Sequence, residues 1–504
     1  MGGQMTEMLR GTLAGVVLAV LPGRPAHGYE ITAWLRDRGF SAAAPRGPHE
    51  ASARHAGSGR IPGPVDRGGR THVEAIGTAH RDGGAPKRRR TAFRPVAVTA
   101  LAVGLLAGAI APATVTAGAA AADSGAAVAD SGAAVPKDAA GQDRPELRKA
   151  VQAFVDAGLL GVQVRVHDER GEWVGSAGVR KLGTSAAPPT NGHFWVGSAT
   201  KTFHATVVLQ LVAEGAIGLD APVAGYLPDL GLDRRITVRM LLQHTSGLFN
   251  YTGDLGPDGT WVPGLPSTGT EWLDNRFRSY RPQELVRFAL SKPAKFAPGT
   301  DWSYSNTNYT LARLLIEKVT GRSFGAELKR RIVGPLGLKG TVVPGDRTRL
   351  PGPYAHGYLR HQDAGTWKAA DVSRQNLSLL AGAGDMISTT RDLRTFFSAL
   401  NGGELLPAGL LTEMRTPHPK SDPLYGRYGL GMFVQDLGPA CGTVLNHNGS
   451  PPGGYAALMY GTPDGRRTLT ASLTTGDAAF DLAAYPKLLD GLVKAAFCGG
   501  QAAG

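Results

Sequence analysis

Strand patterns lie near both ends of residues 145–498, and helical patterns fill most of the interval between them. Near the start, a helical pattern in PELRKAVQAFVDAG precedes LLGVQVRVHDERGEWVGSAGV, which predicts two strands joined by a short turn. The later strand patterns are RYGLGMFVQ, TVLNHNG, GYAALMYG and RTLTASLTT. Helical patterns lie at 199–214, 282–291, 307–320, 391–400 and 480–497. Because each layer must bury an apolar face, this order predicts an α+β fold whose sheet joins the N- and C-terminal parts.

The positive charge of the chain lies mainly in its first 121 residues. They contain 15 Lys and Arg against 7 Asp and Glu, a net charge of +8 out of the +13 carried by all 504 residues. The positive and negative charges of the residues after 121 are closer to balance, so we expect no nucleic-acid partner for that part of the chain. With 42% hydrophobic residues, the chain can bury a full core.

Residues 87–121 have the pattern of a secretory signal peptide. KRRR forms the basic start, an apolar run extends from Val96 to Ala111, and small residues around Ala121 suit cleavage. The alternative is a single membrane anchor, which would hold the protein at a membrane if the signal stayed uncleaved. The repeated heptad of small residues that follows predicts a linker at 122–144, ahead of a folded domain at 145–500. We therefore expect a secreted, extracytoplasmic protein.

The first 41 residues resemble the opening of PadR-type winged-helix transcriptional regulators, which share the LRGTL helix and the PAHGYEI turn. The resemblance stops before the recognition helix and wing that would contact DNA. Residues 42–86 are of low complexity, without periodicity, and are predicted to be disordered. We interpret residues 1–41 as a vestige, or as translation from a start placed too far upstream. A DNA-binding regulator is the alternative.

A serine and a lysine stand one helical turn apart at the start of an apolar helical pattern, in WVGSATKTFHATVVLQLV. Side chains at positions i and i+3 share one helix face, so the Lys201 amine can reach the Ser198 hydroxyl. A lysine whose pKa is lowered by burial can accept the hydroxyl proton and make the serine a nucleophile. An S-x-x-K string is expected by chance about once in such a chain, so a capped helix with a snorkelling lysine is the alternative.

Two further strings carry polar side chains of catalytic type. Tyr304 and Asn306 precede a helical pattern, where a phenol could carry a proton and a carboxamide could bind a substrate amide; the alternative is an asparagine that caps the helix. His447 and Gly449 end a strand pattern, where the glycine allows close backbone approach and the histidine could supply a donor or a positive charge. For His447 the alternative is a structural role.

The motifs S-x-x-K, Y-x-N and H-x-G, in this order, resemble those of the serine beta-lactamase and penicillin-binding-protein superfamily, in the class C-like branch that includes D-alanyl-D-alanine carboxypeptidases. Ser198 and Tyr304 are 106 positions apart, and Tyr304 and His447 are 143 apart, lengths usual in that branch. LLQHTSGL, FAPGTDWSYSN, AGAGDMISTTRDL and YGLGMF agree with it. The resemblance covers about residues 145–498. It implies a beta-lactamase/transpeptidase-like α+β fold, with an antiparallel sheet flanked by helices and a mainly helical subdomain.

The resemblance implies a catalytic role for several of these residues. Ser198 would form the acyl-enzyme, while Lys201 and Tyr304 share its proton transfers; which of the two is the general base is left open. The oxyanion would be bound by the N–H groups of Ser198 and of Ser450, which follows Gly449.

For substrate binding, the resemblance implies that Asn306 holds the acyl-side amide. His447 would take the place of the lysine in K-T-G members, with a charge open to pH. The turn at His244 would support the site. Cys441 and Cys498 are implied to form a disulfide, which suits an exported protein, with two buried thiols as the alternative.

One segment departs from the carboxypeptidases of the branch, which place an arginine just beyond the GLG strand to pair with the substrate carboxylate. Here Met432, Phe433 and Val434 follow GLG. Arg427 could replace the missing arginine. Otherwise His447 alone would meet the carboxylate, and recognition would weaken as the pH rises.

Together these features predict an exported serine hydrolase that works through an acyl-enzyme, with D-alanyl-D-alanine carboxypeptidase activity on peptidoglycan peptides as the leading prediction. A class C-like beta-lactamase, an esterase and a non-catalytic penicillin-binding sensor are the alternatives. The substrate would be a peptidoglycan peptide or a small ester or amide, with beta-lactams as covalent inhibitors. No cofactor and no metal are expected, because no Cys/His spacing resembles a zinc site.

Overall fold

The structure, a computed structural model, describes residues 143–255, 261–421 and 426–499, which belong to one unit of the chain. The PadR-like segment, the low-complexity segment, the signal peptide and the linker up to residue 142 lie outside the described residues. Within the described ranges, no helix has the length and apolar character needed to span a bilayer. Arg144, expected in the linker, is buried and pairs with Asp168 at 2.7 Å, so the fold includes this residue.

Seven strands form the main sheet. They are β1 (Leu159–Asp168), β2 (Gly171–Gly178), β9 (Arg427–Tyr428), β10 (Phe433–Asp436), β11 (Thr443–Asn446), β12 (Tyr455–Gly461) and β13 (Thr468–Thr475). Their order is β2-β1-β13-β12-β11-β10-β9, and every neighbouring pair is antiparallel. β1 pairs with β13 from Leu159 opposite Thr475 to His167 opposite Thr468. The prediction of an α+β fold with one sheet built from both ends of the domain is confirmed.

Shorter strands form three separate pairs: β3 (Phe194–Trp195) with β8 (Ile387–Ser388), β4 (Asp254–Leu255) with β5 (Trp261–Val262), and β6 (Tyr358–Asp363) with β7 (Thr366–Asp371). The helices of the described residues are α1 (Pro145–Asp156), α2 (Thr200–Ala213), α3 (Val223–Tyr226), α4 (Val238–Gln243), α5 (Gly269–Asn275), α6 (Pro282–Leu290), α7 (Asn306–Thr320), α8 (Phe324–Leu328), α9 (Thr390–Asn401), α10 (Ala408–Arg415) and α11 (Tyr485–Phe497). Between β3 and β8, the described residues form the seven helices α2 to α8 and the two strand pairs β4–β5 and β6–β7.

Both faces of strands β1 and β13 are buried, but they differ in chemistry. Alternate residues of β1, Val162, Val164 and Val166, pack in an apolar cluster with residues of α1 and α11. The intervening side chains are polar, and they lie toward α9, where Thr470 Oγ1 donates to the Thr390 carbonyl at 2.8 Å. Because a buried polar face needs specific partners, this side fixes α9 on the sheet.

Helix α2 runs through the interior of the domain. Residues 200–209 have no exposed surface, so the helix is buried on every side, and its threonine, lysine and histidine side chains are buried together with the apolar ones. Lys201 is therefore buried, and the alternative of a snorkelling lysine is wrong. The Lys201 amine is therefore shielded from solvent, unlike the amine of a surface lysine.

The pattern RYGLGMFVQ forms two short strands instead of one. β9 and β10 pair with each other as a hairpin, and residues 429–432 lie between them. Gly431 has φ +88°, and a Cβ there would lie 2.4 Å from the Ala205 side chain. The close approach to α2 thus interrupts the strand at a position that favours glycine.

A disulfide joins Cys441 to Cys498, the pairing that the resemblance implied. Cys441 precedes β11, and Cys498 caps the C-terminus of α11. The bond ties the last helix of the domain to the strand that leads into the H-x-G motif.

Candidate active site

Ser198 lies in a single 3-10 turn, Gly197–Ala199, which continues directly into α2. This junction places the hydroxyl one turn before Lys201, and the Lys201 Nζ lies 3.0 Å from Ser198 Oγ. The i, i+3 spacing therefore brings the two groups into hydrogen-bond contact, as predicted from the sequence.

The remaining partners of Lys201 come from distant parts of the chain. Its Nζ donates to Asn306 Oδ1 at 2.8 Å and to the Ala383 carbonyl at 2.8 Å. Burial lowers the pKa of Lys201 well below its ordinary value, and the Asp385 carboxylate opposes this shift. A neutral amine has two N–H donors and one lone pair. Since both carbonyl oxygens can only accept, the lone pair of the neutral amine faces the Ser198 hydroxyl.

Tyr304 places its hydroxyl in a buried position near the serine. Burial raises the pKa of the phenol, and the neighbouring Ser198 hydroxyl lowers it by less, so the phenol is neutral at ordinary pH. Within the described residues, the hydroxyl makes no hydrogen bond of good geometry. The Lys201 Nζ lies 4.7 Å from the ring centroid. Because a free phenolate is costly, Tyr304 can pass on its proton only as it receives another, as a relay.

The His244 ring packs against the Tyr304 ring, with the two ring centroids 4.3 Å apart. It has φ +64°, at the end of α4, and its Nδ1 accepts from the Ser305 N–H at 3.2 Å and faces Asn308 Nδ2 at 3.1 Å. An Nδ1 that accepts from a backbone N–H is unprotonated, which agrees with a pKa lowered by burial. The histidine thus orients the segment that carries Tyr304.

Asn306 is the first residue of α7, and its carboxamide oxygen accepts a hydrogen bond from Lys201. Its Nδ2 donates to Thr252 Oγ1 at 3.2 Å, and its backbone N–H donates to Asn250 Oδ1 at 3.0 Å. Sequence reasoning missed Asn250 and Thr252. Their only signal was their place directly after the LLQHTSGL string.

The H-x-G segment lies against the serine turn. Gly449 pairs with Ala457, and a Cβ on Gly449 would lie 1.9 Å from the Val196 oxygen and 2.8 Å from the Ser198 nitrogen. A Cβ on Gly197 would lie 2.8 Å from the Ser450 nitrogen. Among the described residues, the Ser450 N–H has no backbone acceptor. The backbone N–H groups of Ser198 and Ser450 therefore lie on neighbouring segments, as an oxyanion hole requires.

His447 is buried, with both ring nitrogens engaged. Nδ1 faces the Asn448 carbonyl at 2.8 Å, and Nε2 faces the Tyr428 hydroxyl at 3.1 Å. Because a carbonyl only accepts, Nδ1 carries the proton and Nε2 accepts from Tyr428. Burial and the nearby Lys201 lower the pKa of His447 to about 3. The expectation of a histidine charge that titrates near neutral pH is therefore wrong.

Arg427 directs its guanidinium to the backbone of its own loop, with Nη1 donating to the carbonyls of Pro419 and Ser421. Among the described residues, the His447 pKa is affected by burial, by the Lys201 amine and by the Asn448 carbonyl. No group of three or more potential metal-ligating side chains occurs in the described part of the chain.

Comparison with known proteins identifies the family. The beta-lactamase family model matches residues 147–491. The chain belongs to the beta-lactamase family. As a member of this family of serine hydrolases, it shares the fold and the motif order described above.

The relatives of this beta-lactamase family member differ in activity. A solved structure of a D-stereospecific amidohydrolase from Streptomyces sp. is 38% identical with a TM-score of 0.60, covering 71% of this chain and 99% of that one. A D-amino acid amidase from Ochrobactrum anthropi SV3 is 26% identical with a TM-score of 0.59, covering 70% and 98%. Penicillin-binding protein 4* of Bacillus subtilis is 28% identical, covering 56% of this chain and 60% of that protein. The chain spans less than two thirds of the length of the curated relatives it matches first.

Proposed function

We propose that this beta-lactamase family hydrolase cleaves amide or ester bonds of D-amino acid derivatives whose leaving group carries no charge. The neutral state of His447 carries the proposal, because an uncharged imidazole with both nitrogens engaged offers no cation to a substrate carboxylate. The D-stereospecific amidohydrolase, matched over 99% of its chain, supports the substrate class. The proposal therefore replaces the D-alanyl-D-alanine carboxypeptidase as the leading candidate.

In this mechanism, neutral Lys201 takes the proton of Ser198 as Oγ attacks the substrate carbonyl. The backbone N–H groups of Ser198 and Ser450 bind the oxyanion. The Tyr304 hydroxyl, neutral and buried beside the serine, gives its proton to the departing amine as it accepts the proton held by Lys201, so that no free phenolate forms. Water then hydrolyses the acyl-enzyme with the same groups in reverse order, which restores the Ser198 hydroxyl.

Substrate comparison tests the proposal. We expect D-phenylalanine amide to be hydrolysed at least about tenfold faster than its L-enantiomer, measured as kcat/KM. A peptide ending in D-Ala-D-Ala amide should react at least as well as its free acid. The ratio between amide and acid should stay constant from about pH 6 to about pH 9, because His447 is already neutral throughout that range.

Strong preference for the free acid at every pH would favour D-alanyl-D-alanine carboxypeptidase activity. It would also indicate that another arginine replaces the one that is absent after the GLG strand. A preference for the acid that declines as the pH rises would show that His447 is charged in the working enzyme. Hydrolysis of neither enantiomer would contradict the proposal as a whole.

We further propose that the protein is exported and cleaved near Ala121. The signal-peptide pattern supports this, and so does the disulfide between Cys441 and Cys498, since such bonds persist in oxidising compartments. N-terminal sequencing of the protein from culture medium should begin near Ala122, and a chain starting there should have full activity. Secreted enzyme that still carries residues 1–86 would overturn this proposal.

A further inference from the structure

The carboxamide of Asn306 has two orientations that fit the same space, and only one of them suits catalysis. With Oδ1 toward Lys201, the amide accepts a hydrogen bond and leaves the amine lone pair for Ser198. With Nδ2 toward Lys201, a neutral amine would accept from the amide and its lone pair would be occupied. The orientation of one side chain thus decides whether Lys201 can act as a base.

The orientation of the Asn306 carboxamide follows from a backbone N–H group, whose direction is fixed by the helix. The backbone N–H of Asn306 points at the Asn250 carboxamide at 3.0 Å, so the atom that it meets must be Oδ1. Thr252 Oγ1 lies 3.1 Å from the same oxygen and must donate its proton there. The threonine then has only lone pairs for Asn306, so the group that faces it at 3.2 Å must be Nδ2.

A partly buried ion pair holds the loop that carries Asn250 and Thr252. Asp254 Oδ2 accepts from the Asn250 N–H at 3.1 Å, and Asp254 Oδ1 accepts from Lys295 Nζ at 2.6 Å. Lys295 also donates to Ser303 Oγ at 2.7 Å, just before Tyr304. The loop is therefore tied to the segment that carries the proposed proton donor.

We propose that Thr252 and Asn250 are positioning residues, which fix the Asn306 carboxamide so that its oxygen faces Lys201. Thr252 touches neither Ser198 nor Lys201 through a hydrogen bond of its own, and it acts through Asn306. The inference rests on the proposed role of Lys201 as the base for Ser198, but not on the class of substrate.

The test compares Thr252→Val, which keeps the shape and removes the hydroxyl, with Thr252→Ser, which keeps the hydroxyl. We expect Thr252→Val to lower the rate of Ser198 acylation by about 10- to 100-fold, because the base is no longer aligned. Protonated Lys201 also loses an acceptor, so the pKa of Lys201 should fall. The acidic limb of the pH–rate profile should therefore shift down by about one pH unit.

The reactivity of Ser198 is measured by mass spectrometry as the rate of its phosphonylation by a fluorophosphonate probe, which needs the same deprotonation of the hydroxyl as acylation and does not need the natural substrate. Thr252→Ser should keep the wild-type rate and pH profile. So should Thr412→Val on α10, whose hydroxyl bonds the Ala408 carbonyl within its own helix. Asn250→Ala should reproduce the Thr252→Val phenotype if the two residues act in one chain of hydrogen bonds.

A crystal structure of Thr252→Val at better than about 1.2 Å resolution provides a readout independent of rate, because the amide oxygen and nitrogen of Asn306 cannot be told apart at ordinary resolution. We expect the contact between Lys201 Nζ and Asn306 to change, with an amide orientation that the remaining partners no longer determine. An unchanged pH profile and an unchanged Lys201–Asn306 contact would overturn the inference, even if the rate fell. Absence of D-amidase activity together with a shifted labelling profile would overturn the proposed substrate class and leave Thr252 as a positioning residue.

Discussion

Ser198→Ala should abolish covalent modification and nearly all hydrolysis. The substitution removes the hydroxyl that lies 3.0 Å from Lys201 Nζ and keeps the buried turn that carries it. Where a nucleophile and its base act as a unit, loss of the nucleophile lowers kcat by up to about 10⁶. Mass spectrometry after incubation with a penicillin should find the adduct on the Ser198 peptide of the native protein and none on the variant.

The matched control is Ser291→Ala, an exposed serine at the end of α6 whose hydroxyl bonds the Phe288 carbonyl. It should label and hydrolyse like the native protein. A native protein that stays unmodified after long exposure to penicillins, activated esters and fluorophosphonates would contradict the assignment of Ser198 as nucleophile. An adduct on another residue would do the same.

Lys201→Met should lower kcat/KM by at least about 10³-fold, in the upper part of the range for loss of a general base. Methionine has a similar length and suits the fully buried site, but it has no lone pair to take the serine proton. The hydrolysis rate and the rate of acylation should fall together, because the lysine acts before the acyl-enzyme forms. A thermal unfolding curve of the same sample shows whether the variant is folded, so that the loss of activity can be assigned to the active site.

Tyr304→Phe provides the comparison that separates the two candidates for the base. Since burial keeps the phenol protonated, we expect its loss to affect departure of an amine more than departure of an activated phenol ester. Lys201→Met should slow both substrates alike. If Tyr304→Phe slowed both substrates more than Lys201→Met did, the roles of the two residues would be reversed.

The fold could be predicted from local patterns because strand and helix periodicities are properties of neighbouring residues. The alternation in β1 and β13 and the order of strands around the helices indicated the α+β class correctly. The GLG segment was the exception. Its division into β9 and β10 depends on contact between Gly431 and Ala205, 226 positions apart in the chain, and no local pattern records such a contact.

The site shows the same division between local and distant effects. The contact between Ser198 and Lys201 follows from helix geometry over one turn, so three residues of spacing were enough to predict it. The lowered pKa of Lys201 depends on burial within the fold, and the direction of its lone pair depends on carbonyl acceptors 105 and 182 positions away.

The lowered pKa of His447 likewise depends on burial, and the orientation of Asn306 depends on Thr252. Protonation and hydrogen-bond direction are set by solvent exclusion and by the partners that meet in space. The chain order therefore identified the reacting groups, while tertiary packing decided which of them hold protons at neutral pH.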